Sequence, residues 1–286
     1  MKYIKDRIEY ALLCLLLIAF RSLPLDIASF MGGFMARAVG PLLPAHRIAT
    51  RNISLAFPDM DVPTRRRTLA RMWDNLGRVI AEEAHLATDR LYSRLKLVGG
   101  QNLPQPGKQV LFFSGHIGNW ELLSPIVYRN HIPTTLIYRK VNNPLIDALV
   151  LRLRETQAHG LLPKGPAGAV KLVRSIKAGD SIAMLIDQKM NEGISIPFFG
   201  HEVMTAPAIA EFSLRYHIPI IPARVIRTHG CHFTATIYPA LDYTPTGDTP
   251  KDVKAIMTQI NTMLESWVRE HPDQWFWVHR RWQKPA

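Results

Sequence analysis

A histidine and a glutamate stand five positions apart, directly after a short apolar run of the sequence. Residues 110–113 (Val-Leu-Phe-Phe) are followed by Ser-Gly-His116-Ile-Gly-Asn119-Trp-Glu121. The run is typical of a buried strand, and the two glycines indicate a tight turn before a helix that Asn119 can cap. Glu121 falls in the first helical turn, where the helix dipole favours a carboxylate, and its side chain can reach back toward the imidazole. A histidine oriented by a carboxylate is the usual form of a general base.

A histidine near a glutamate also occurs by chance, but the position of this pair favours catalysis. It lies at the end of a predicted strand, between glycines that allow a substrate to come close. Other polar residues end predicted strands too. Asp187 is placed like a site residue, although it can also cap the following loop. Arg139, with Asn142 and Asn143 beside it, can contact a phosphate or a sugar; the alternative is a solvated arginine and a helix-capping asparagine.

Strands and helices alternate along most of the chain. Apolar spacing predicts helices within residues 46–86 and then at 120–128, 145–157, 167–177, 208–216 and 251–269. Strands are predicted at 95–98, 110–113, 134–137, 182–186, 218–226 and 231–238, with a loop rich in glycine and proline before residue 208. This alternation is typical of an α/β domain with a largely parallel central sheet flanked by helices. Ligand sites in such sheets lie at the carboxyl ends of the strands.

The N-terminus carries a membrane signal. Residues 10–20 are all apolar or aromatic and have basic residues on both sides. The run has about half of the roughly 20 residues that a spanning helix needs, and no small-x-small cleavage site follows it. A second apolar stretch, residues 25–43, suits a helix that lies in the membrane interface. We expect residues 1–43 to form a membrane-anchoring helix or helical hairpin; the alternative is a buried hairpin of a soluble domain.

The composition points to an anionic partner. Thirty-five lysines and arginines against 23 acidic residues give a formal charge of +12. Nucleic acid, anionic lipid headgroups and an acidic carrier protein would all fit, but nucleic acid leaves the apolar N-terminus unexplained. Cys14 and Cys231 form neither a disulfide framework nor a zinc motif, so a reducing cytoplasmic setting is expected.

The turn at His116 resembles the H-x4-D/E motif of glycerolipid-type acyltransferases. Residues 45–284 as a whole resemble the lauroyl and myristoyl acyltransferases of bacterial lipid A biosynthesis. Further segments that carry this resemblance are Tyr138-Arg139-Lys-Val-Asn142-Asn143-Pro144-Leu-Ile-Asp147, Leu185-Ile-Asp187-Gln188, Pro197-Phe198-Phe199-Gly200 and Pro272-Asp-Gln274-Trp275-Phe-Trp277-Val-His279-Arg280-Arg281-Trp282.

The resemblance implies a glycerolipid-acyltransferase-like domain over residues 44–286 that transfers a fatty acyl chain from acyl carrier protein to a hydroxyl of a lipid A precursor. His116 would remove the proton of that hydroxyl, Glu121 would orient His116, and Arg154 is the candidate donor to the oxyanion. Neither cysteine sits at a nucleophile-like turn, so direct transfer is expected. The expected substrate-binding residues are Asn119, Arg139, Asn142, Asn143 and Asp187.

The resemblance also implies the setting of the enzyme. Its expected partners are acyl carrier protein, the glycolipid acceptor and membrane lipids, at the cytoplasmic face of a bacterial inner membrane, with no nucleic acid, metal ion or redox cofactor. Other readings stay open. The acceptor could be another glycolipid, such as a phosphatidylinositol mannoside, or the donor could be acyl-CoA. A protein of another class, a non-catalytic membrane protein that binds anionic lipid, would share the basic surface but would not turn over.

Overall fold

A seven-stranded sheet forms the centre of the protein. The computed structural model describes residues 2–155 and 157–282, without the side chains of residues 2, 166 and 167. The strands are β1 (Leu95–Val98), β2 (Leu111–Ser114), β3 (Thr134–Tyr138), β4 (Gly160–Pro163), β5 (Ser181–Leu185), β6 (Lys189–Phe198), β7 (His201–Thr205), β8 (Ile220–His229) and β9 (His232–Ile237). The sheet order is β1-β9-β8-β2-β5-β3-β4, and all neighbours are parallel except β8 and β9. The predicted α/β fold with a largely parallel sheet is confirmed.

Helices flank this sheet on both faces. They are α1 (Lys2–Ser22), α2 (Leu25–Val39), α3 (Pro44–Ala56), α4 (Val62–Glu83), α5 (Asp89–Tyr92), α6 (Leu123–Arg129), α7 (Pro144–Glu155), α8 (Pro166–Lys177), α9 (Ala208–Tyr216) and α10 (Thr249–Glu270). On one face, Phe113 of β2 packs in a core shared with α8, α9 and α10. On the other, Phe112 packs against Val127 of α6. Alternate residues of one strand thus serve two cores, as the pleat requires.

Two features of the sheet region differ from the sequence prediction. The predicted loop before residue 208 contains an antiparallel hairpin, β6 with β7, which turns at Phe199 and Gly200. Its strands alternate between exposed and buried residues and contain Gly193 and Pro197, so no continuous apolar run marks them. Phe199 is buried against the ring of Trp277, which places this turn in the core. The edge strand β4 is too short to give a pattern.

The first two helices pack on the rest of the protein. Gly32 of α2 lies directly against Gly77 of α4, where a Cβ on Gly77 would come within 2.1 Å of the Gly32 carbonyl oxygen. Within the described residues, no helix has both the length and the apolar character required to cross a bilayer. The expected domain boundary after residue 43 stays a prediction.

Replacing Gly77 by leucine should destabilise the protein by about 3 kcal/mol, because the α2 backbone occupies the space of the new side chain. Ala70→Leu, at an exposed position of the same helix, is the matched control. Thermal unfolding of both variants measures the difference. Equal melting temperatures of the two variants would show that α2 and α4 do not approach each other this closely.

Candidate active site

The turn that carries His116 is held between a strand and the C-terminal segment. Gly118 adopts a φ of +60°, and a Cβ there would lie 1.8 Å from the carbonyl oxygen of Val225 in β8. Its N–H donates to the Gln274 carbonyl at 3.0 Å, and the N–H of Phe276 donates to the His116 carbonyl at 2.9 Å. Only glycine fits at position 118. These backbone contacts therefore fix the position from which the His116 side chain extends.

Asp187, and not Glu121, is the carboxylate that contacts His116. Oδ1 of Asp187 lies 2.7 Å from Nδ1 of His116, and Oδ2 accepts the backbone N–H of the same residue at 2.8 Å. β2 and β5 are parallel neighbours, so their carboxyl ends meet and bring the two residues together. Asp187 is fully buried. The strand-end prediction for Asp187 fits this position, whereas the expected contact of Glu121 with the imidazole is wrong.

The charge of Asp187 is stabilised on several sides. Burial alone would raise its pKa, but the neighbouring His116 and His279 and the hydrogen bonds from His116 hold that pKa below its usual range. Trp275 Nε1 also donates to Oδ2 at 2.8 Å. An ionised carboxylate can only accept, so the proton between the two side chains sits on Nδ1 of His116. The other ring nitrogen, Nε2, is left free to accept a proton.

Nε2 of His116 lies near Gln188, and the imidazole as a whole is surrounded by aromatic side chains. Gln188 Nε2 lies 3.3 Å from it, and the rings of Trp120, Phe276 and His279 lie within 5.9 Å of the imidazole. His279 Nε2 is 4.0 Å from Asp187 Oδ2 and has no hydrogen-bond partner among the described residues. Burial lowers the pKa of His279 to about 4, so this second imidazole is neutral near pH 7.

Glu121 pairs with Arg154. Its Oε1 accepts from Arg154 Nη2 at 2.6 Å and from Trp120 Nε1 at 2.9 Å. Burial opposes the charge of Arg154, but Glu121 and Glu83 raise its pKa, so the guanidinium is charged. Two of the predicted catalytic residues are thus in contact with each other. Glu121 and Arg154 form a second charged pair, and the Trp120 ring lies between this pair and His116.

Asn119 does not cap the helix that follows it. It precedes a 3-10 turn, makes no capping bond, and donates through Nδ2 to Glu82 Oε2 at 2.7 Å. Glu82 is fully buried and also accepts from Ser29 of α2, at 2.7 Å, and from both Nη atoms of Arg227 in β8. A buried charge takes any available donor, which overrides local capping. Asn119 is itself buried, so its expected place as a substrate-binding residue is not supported by this geometry.

Part of the segment after β3 stabilises the fold, and part of it is exposed. Asn143 Oδ1 accepts from the backbone of Leu145 at the start of α7, and its Nδ2 donates to the Asp6 carbonyl at 2.8 Å and to Glu9 Oε2 at 3.1 Å. The capping alternative thus describes Asn143, which also ties α1 to α7. Arg139 and Asn142 are exposed just beyond β3. Their contact with a substrate headgroup stays a prediction.

An apolar cavity opens beside the Glu121–Arg154 pair, which lines it. We call it the apolar cavity. Ser114, Trp120, Glu121 and Arg154 line it next to the turn; the rest of its wall is Leu86, Phe112, Phe113, Leu123, Ser124, Val127, Leu136, Ile137, Tyr138, Gln157, Ala183, Met184, Leu185, Ala223 and Ile237. A mostly apolar wall with a few polar groups is typical of small-molecule binding sites. Hydrocarbon is the substrate chemistry that this wall fits.

His116, Asp187 and His279 are also the residues that could bind a metal ion, since their ligand atoms lie within 4.8 Å of one another. The 2.7 Å between His116 Nδ1 and Asp187 Oδ1 is a hydrogen-bond distance. Two tetrahedral zinc ligands, each about 2.0–2.1 Å from the ion, would stand roughly 3.3 Å apart. The arrangement present is that of an oriented base, and a metal ion would require these side chains to separate.

Sequence reasoning did not find Glu82, Glu83 or Gln188 as site residues. Glu82 lies three positions after Val79 and seven after Asn75, all on the buried face of α4. A carboxylate that continues an apolar face was the available signal for a buried ion pair. Gln188 follows Asp187 in a segment that the sequence analysis did single out.

Comparison with known proteins assigns this α/β protein to an enzyme class, the acyltransferases. The family model for bacterial lipid A biosynthesis acyltransferases matches residues 4–284. The chain belongs to this family, and its members act between an acyl donor and a lipid acceptor. It is 24% identical to a lipid A biosynthesis acyltransferase of Haemophilus influenzae over 276 residues, which cover 92% of this chain and 83% of the relative.

Two relatives from Escherichia coli carry more specific names. The chain is 24% identical to a lipid A biosynthesis lauroyltransferase, over 83% of its own length and 78% of the relative. It is 23% identical to a lipid A biosynthesis palmitoleoyltransferase, over 91% and 86%. Among solved structures, a 1-acyl-sn-glycerophosphate acyltransferase of Thermotoga maritima overlaps with a TM-score of 0.38 and 10% identity, covering 84% of this chain and 97% of the other. That overlap is too low to support an argument.

Glu83 makes stability depend on pH. Burial and the neighbouring charge of Glu121 raise its pKa from 4.5 to about 8. The folded protein thus holds a proton that the unfolded chain releases, so stability present below pH 4.5 is lost as the pH rises toward 8. Glu83→Gln should be more stable than wild type at pH 8, by roughly 3 kcal/mol, and should gain little at pH 5.

Denaturant unfolding of Glu83→Gln and wild type at both pH values measures this difference. Glu155→Gln, at an exposed position of α7, is the matched control and should show no such dependence. A gain for Glu83→Gln that is equal at pH 5 and pH 8 would contradict the raised pKa.

Proposed function

We propose that this acyltransferase transfers a fatty acyl chain from acyl carrier protein to a hydroxyl of a lipid A precursor, with His116 as general base. The observation that carries the proposal is the hydrogen bond between His116 Nδ1 and Asp187, because it leaves Nε2 ready to accept a proton, while the neighbouring Trp120 lines the apolar cavity. The family supports acyl transfer in lipid A synthesis. The donor and the residue roles are our proposal.

In the proposed reaction, His116 Nε2 takes the proton of the acceptor hydroxyl while its oxygen attacks the thioester carbonyl. The new C–O bond gives a tetrahedral intermediate with a negative oxygen. The C–S bond then breaks, and the imidazolium gives its proton to the leaving thiolate, which restores the neutral base. Asp187 stabilises that imidazolium through Nδ1. No acyl-enzyme is required, because neither Cys14 nor Cys231 lies at this turn.

Arg154 is the proposed donor to the developing oxyanion. It lines the apolar cavity, and Glu121 holds it in place at 2.6 Å. A fixed positive charge in a largely apolar site stabilises developing negative charge more strongly than the same charge in water. In this proposal the role of Glu121 is to position Arg154, and Asp187 takes the role first expected of Glu121.

The charge of the protein supports an acyl carrier protein as donor. Acyl carrier proteins are strongly acidic as a class, and the chain carries a formal charge of +12. Burial and the charge of the neighbouring Arg139 lower the pKa of Lys164, so the two basic residues lie close together at the carboxyl edge of the sheet. A basic edge beside the site would steer an acidic donor toward it.

Purified wild type should transfer lauroyl or myristoyl groups from acyl carrier protein to a Kdo-bearing lipid A precursor. His116→Ala and Asp187→Asn should each lower the rate by at least about a hundredfold, because each removes the oriented base. Glu121→Gln should also lower it, through Arg154. His201→Ala, an exposed histidine of β7, is the matched control and should keep the wild-type rate.

Two outcomes would contradict the assignment. Full activity of Asp187→Asn would show that Asp187 does not orient the base. Binding of anionic lipid by wild type without any turnover would favour the non-catalytic lipid-binding alternative. Transfer only to another glycolipid, or only from acyl-CoA, would keep the acyltransferase and change its substrates.

The first two helices form the proposed membrane-contacting face at the inner membrane. Their large exposed apolar side chains are Tyr3, Ile4, Ile8, Leu12, Leu15, Ile18, Ile27, Phe30, Met31, Phe34, Met35 and Val39. Contiguous apolar surface of this kind marks an interaction site for a membrane or a protein. Because the family acts on a lipid, we assign this face to the surface of the bilayer.

Phe30→Ser combined with Phe34→Ser should weaken binding to lipid vesicles about a hundredfold. Both rings are more than half exposed, and burial of two aromatic side chains is worth roughly 3 kcal/mol. Co-sedimentation with anionic vesicles measures the change. Val170→Ser, an exposed apolar position on α8, is the matched control. Unchanged binding of the double variant would remove this face from the membrane.

A further inference from the structure

A second, open groove lies between α1, the end of α4 and α7, apart from the site described above. Its volume is about 630 Å³. Its walls include Cys14, Leu17 and Ile18 from α1 and Leu149 from α7. We call it the α1–α7 groove. No step of the proposed reaction uses it, so it needs its own explanation.

The α1–α7 groove adjoins both the outer apolar face and the apolar cavity. Ile18, with 66% of its side chain exposed, belongs both to the outer face of α1 and to the groove. At the inner end, Leu86 and Gln157 line the groove and the apolar cavity together. The groove thus lies between the outer face of α1 and the apolar cavity, whose wall includes Arg154.

Gln157 provides a specific polar contact at that junction. Its side chain is 6% exposed, and its Oε1 is buried with no hydrogen-bond partner among the residues that the structure describes. A buried acceptor without a donor is costly, and a bound ligand can supply the donor. The hydrocarbon chain of an ordinary phospholipid has no donor. An acyl chain that carries a hydroxyl, or is joined through an amide N–H, does.

The charges of the α1–α7 groove select an anionic headgroup. Arg21 at the end of α1 and Arg152 on α7 are exposed and line it. The acidic residue of its wall is Glu83, whose pKa burial raises to about 8, so that it adds little negative charge at pH 7. Two arginines beside apolar walls complement an anionic lipid.

We propose that the α1–α7 groove binds an acyl chain of the anionic glycolipid acceptor, a chain with a hydroxyl or amide donor, and guides it from the bilayer to the apolar cavity. The inference rests on the proposed function for the identity of the acceptor. It adds a binding site, with Gln157 as the residue that recognises the chain and Arg21 and Arg152 as contacts for the headgroup.

Cys14 provides a direct probe, because it lines the α1–α7 groove while the other cysteine does not react. Cys231 is fully buried, and burial raises the pKa of its thiol to about 11. The experiment measures the rate at which N-ethylmaleimide alkylates Cys14 of the full chain in phosphatidylethanolamine vesicles. One set of vesicles also contains the Kdo-bearing lipid A precursor, and a second contains phosphatidylglycerol of equal total charge.

The precursor should slow alkylation of Cys14 about tenfold at roughly ten times its Kd, and phosphatidylglycerol should leave the rate unchanged. Equal protection by both lipids would show that the α1–α7 groove takes bulk anionic lipid, which overturns the proposal. No protection by either would overturn it as well. Gln157→Met, similar in size but without the acceptor oxygen, should weaken protection by the precursor.

A turnover measurement gives the independent test. Leu17→Trp fills the α1–α7 groove and should raise the KM for the precursor about tenfold. Val170→Trp, on α8, is the matched control. An unchanged KM would overturn the proposal. If Leu17→Trp does not fold, alkylation of the wild type still decides.

The two proposals fail in different ways. Alkylation of Cys14 reports binding and needs no turnover, so protection by the precursor together with an inactive wild type would reject the proposed reaction and keep the α1–α7 groove. Normal acyl transfer with unprotected Cys14 would do the opposite.

Discussion

The buried ion pair between Glu82 and Arg227 is the interaction on which the arrangement of the site depends. Removal of a carboxylate from water costs several kcal/mol unless donors replace the water. Here Ser29, Asn119 and the Arg227 guanidinium supply them. Each donor belongs to a different part of the chain, so the N-terminal helices, the turn that carries His116 and the sheet share a single electrostatic contact. None of them can move away without leaving a buried charge unpaired.

The contact between His116 and Asp187 shows the limits of prediction from sequence. The sequence predicted the strands on both sides of the site and placed His116 and Asp187 at strand ends. It favoured Glu121 as the partner of His116, because a sequence shows which residues are close along the chain. It does not show which distant residues folding brings together. The actual partner is 71 positions away and is brought there by the pairing of β2 with β5. Sheet order is set by packing of the whole domain, which periodicity does not report.

Asn119 and Asn143 show that local sequence does not decide which asparagine caps a helix. Both precede a predicted helix, and both have the side chain that caps one. Asn143 does so and in addition binds α1, whereas Asn119 turns inward to Glu82. The difference lies in whether a buried charge is near, and that charge comes from a helix about forty positions earlier. Local propensity describes what a residue can do, and tertiary electrostatics decides between the choices.

The position of α1 has a practical consequence. An N-terminal apolar helix is commonly deleted to make an enzyme easier to purify. Here α1 is a wall of the α1–α7 groove, and Phe20 accepts a hydrogen bond from the buried His85 through its carbonyl. A chain shortened to begin at α2 would open the inner end of that groove, at Leu86 and Gln157, to solvent. Its kinetics would describe a differently shaped site, so substrate preferences should be compared only among full-length proteins.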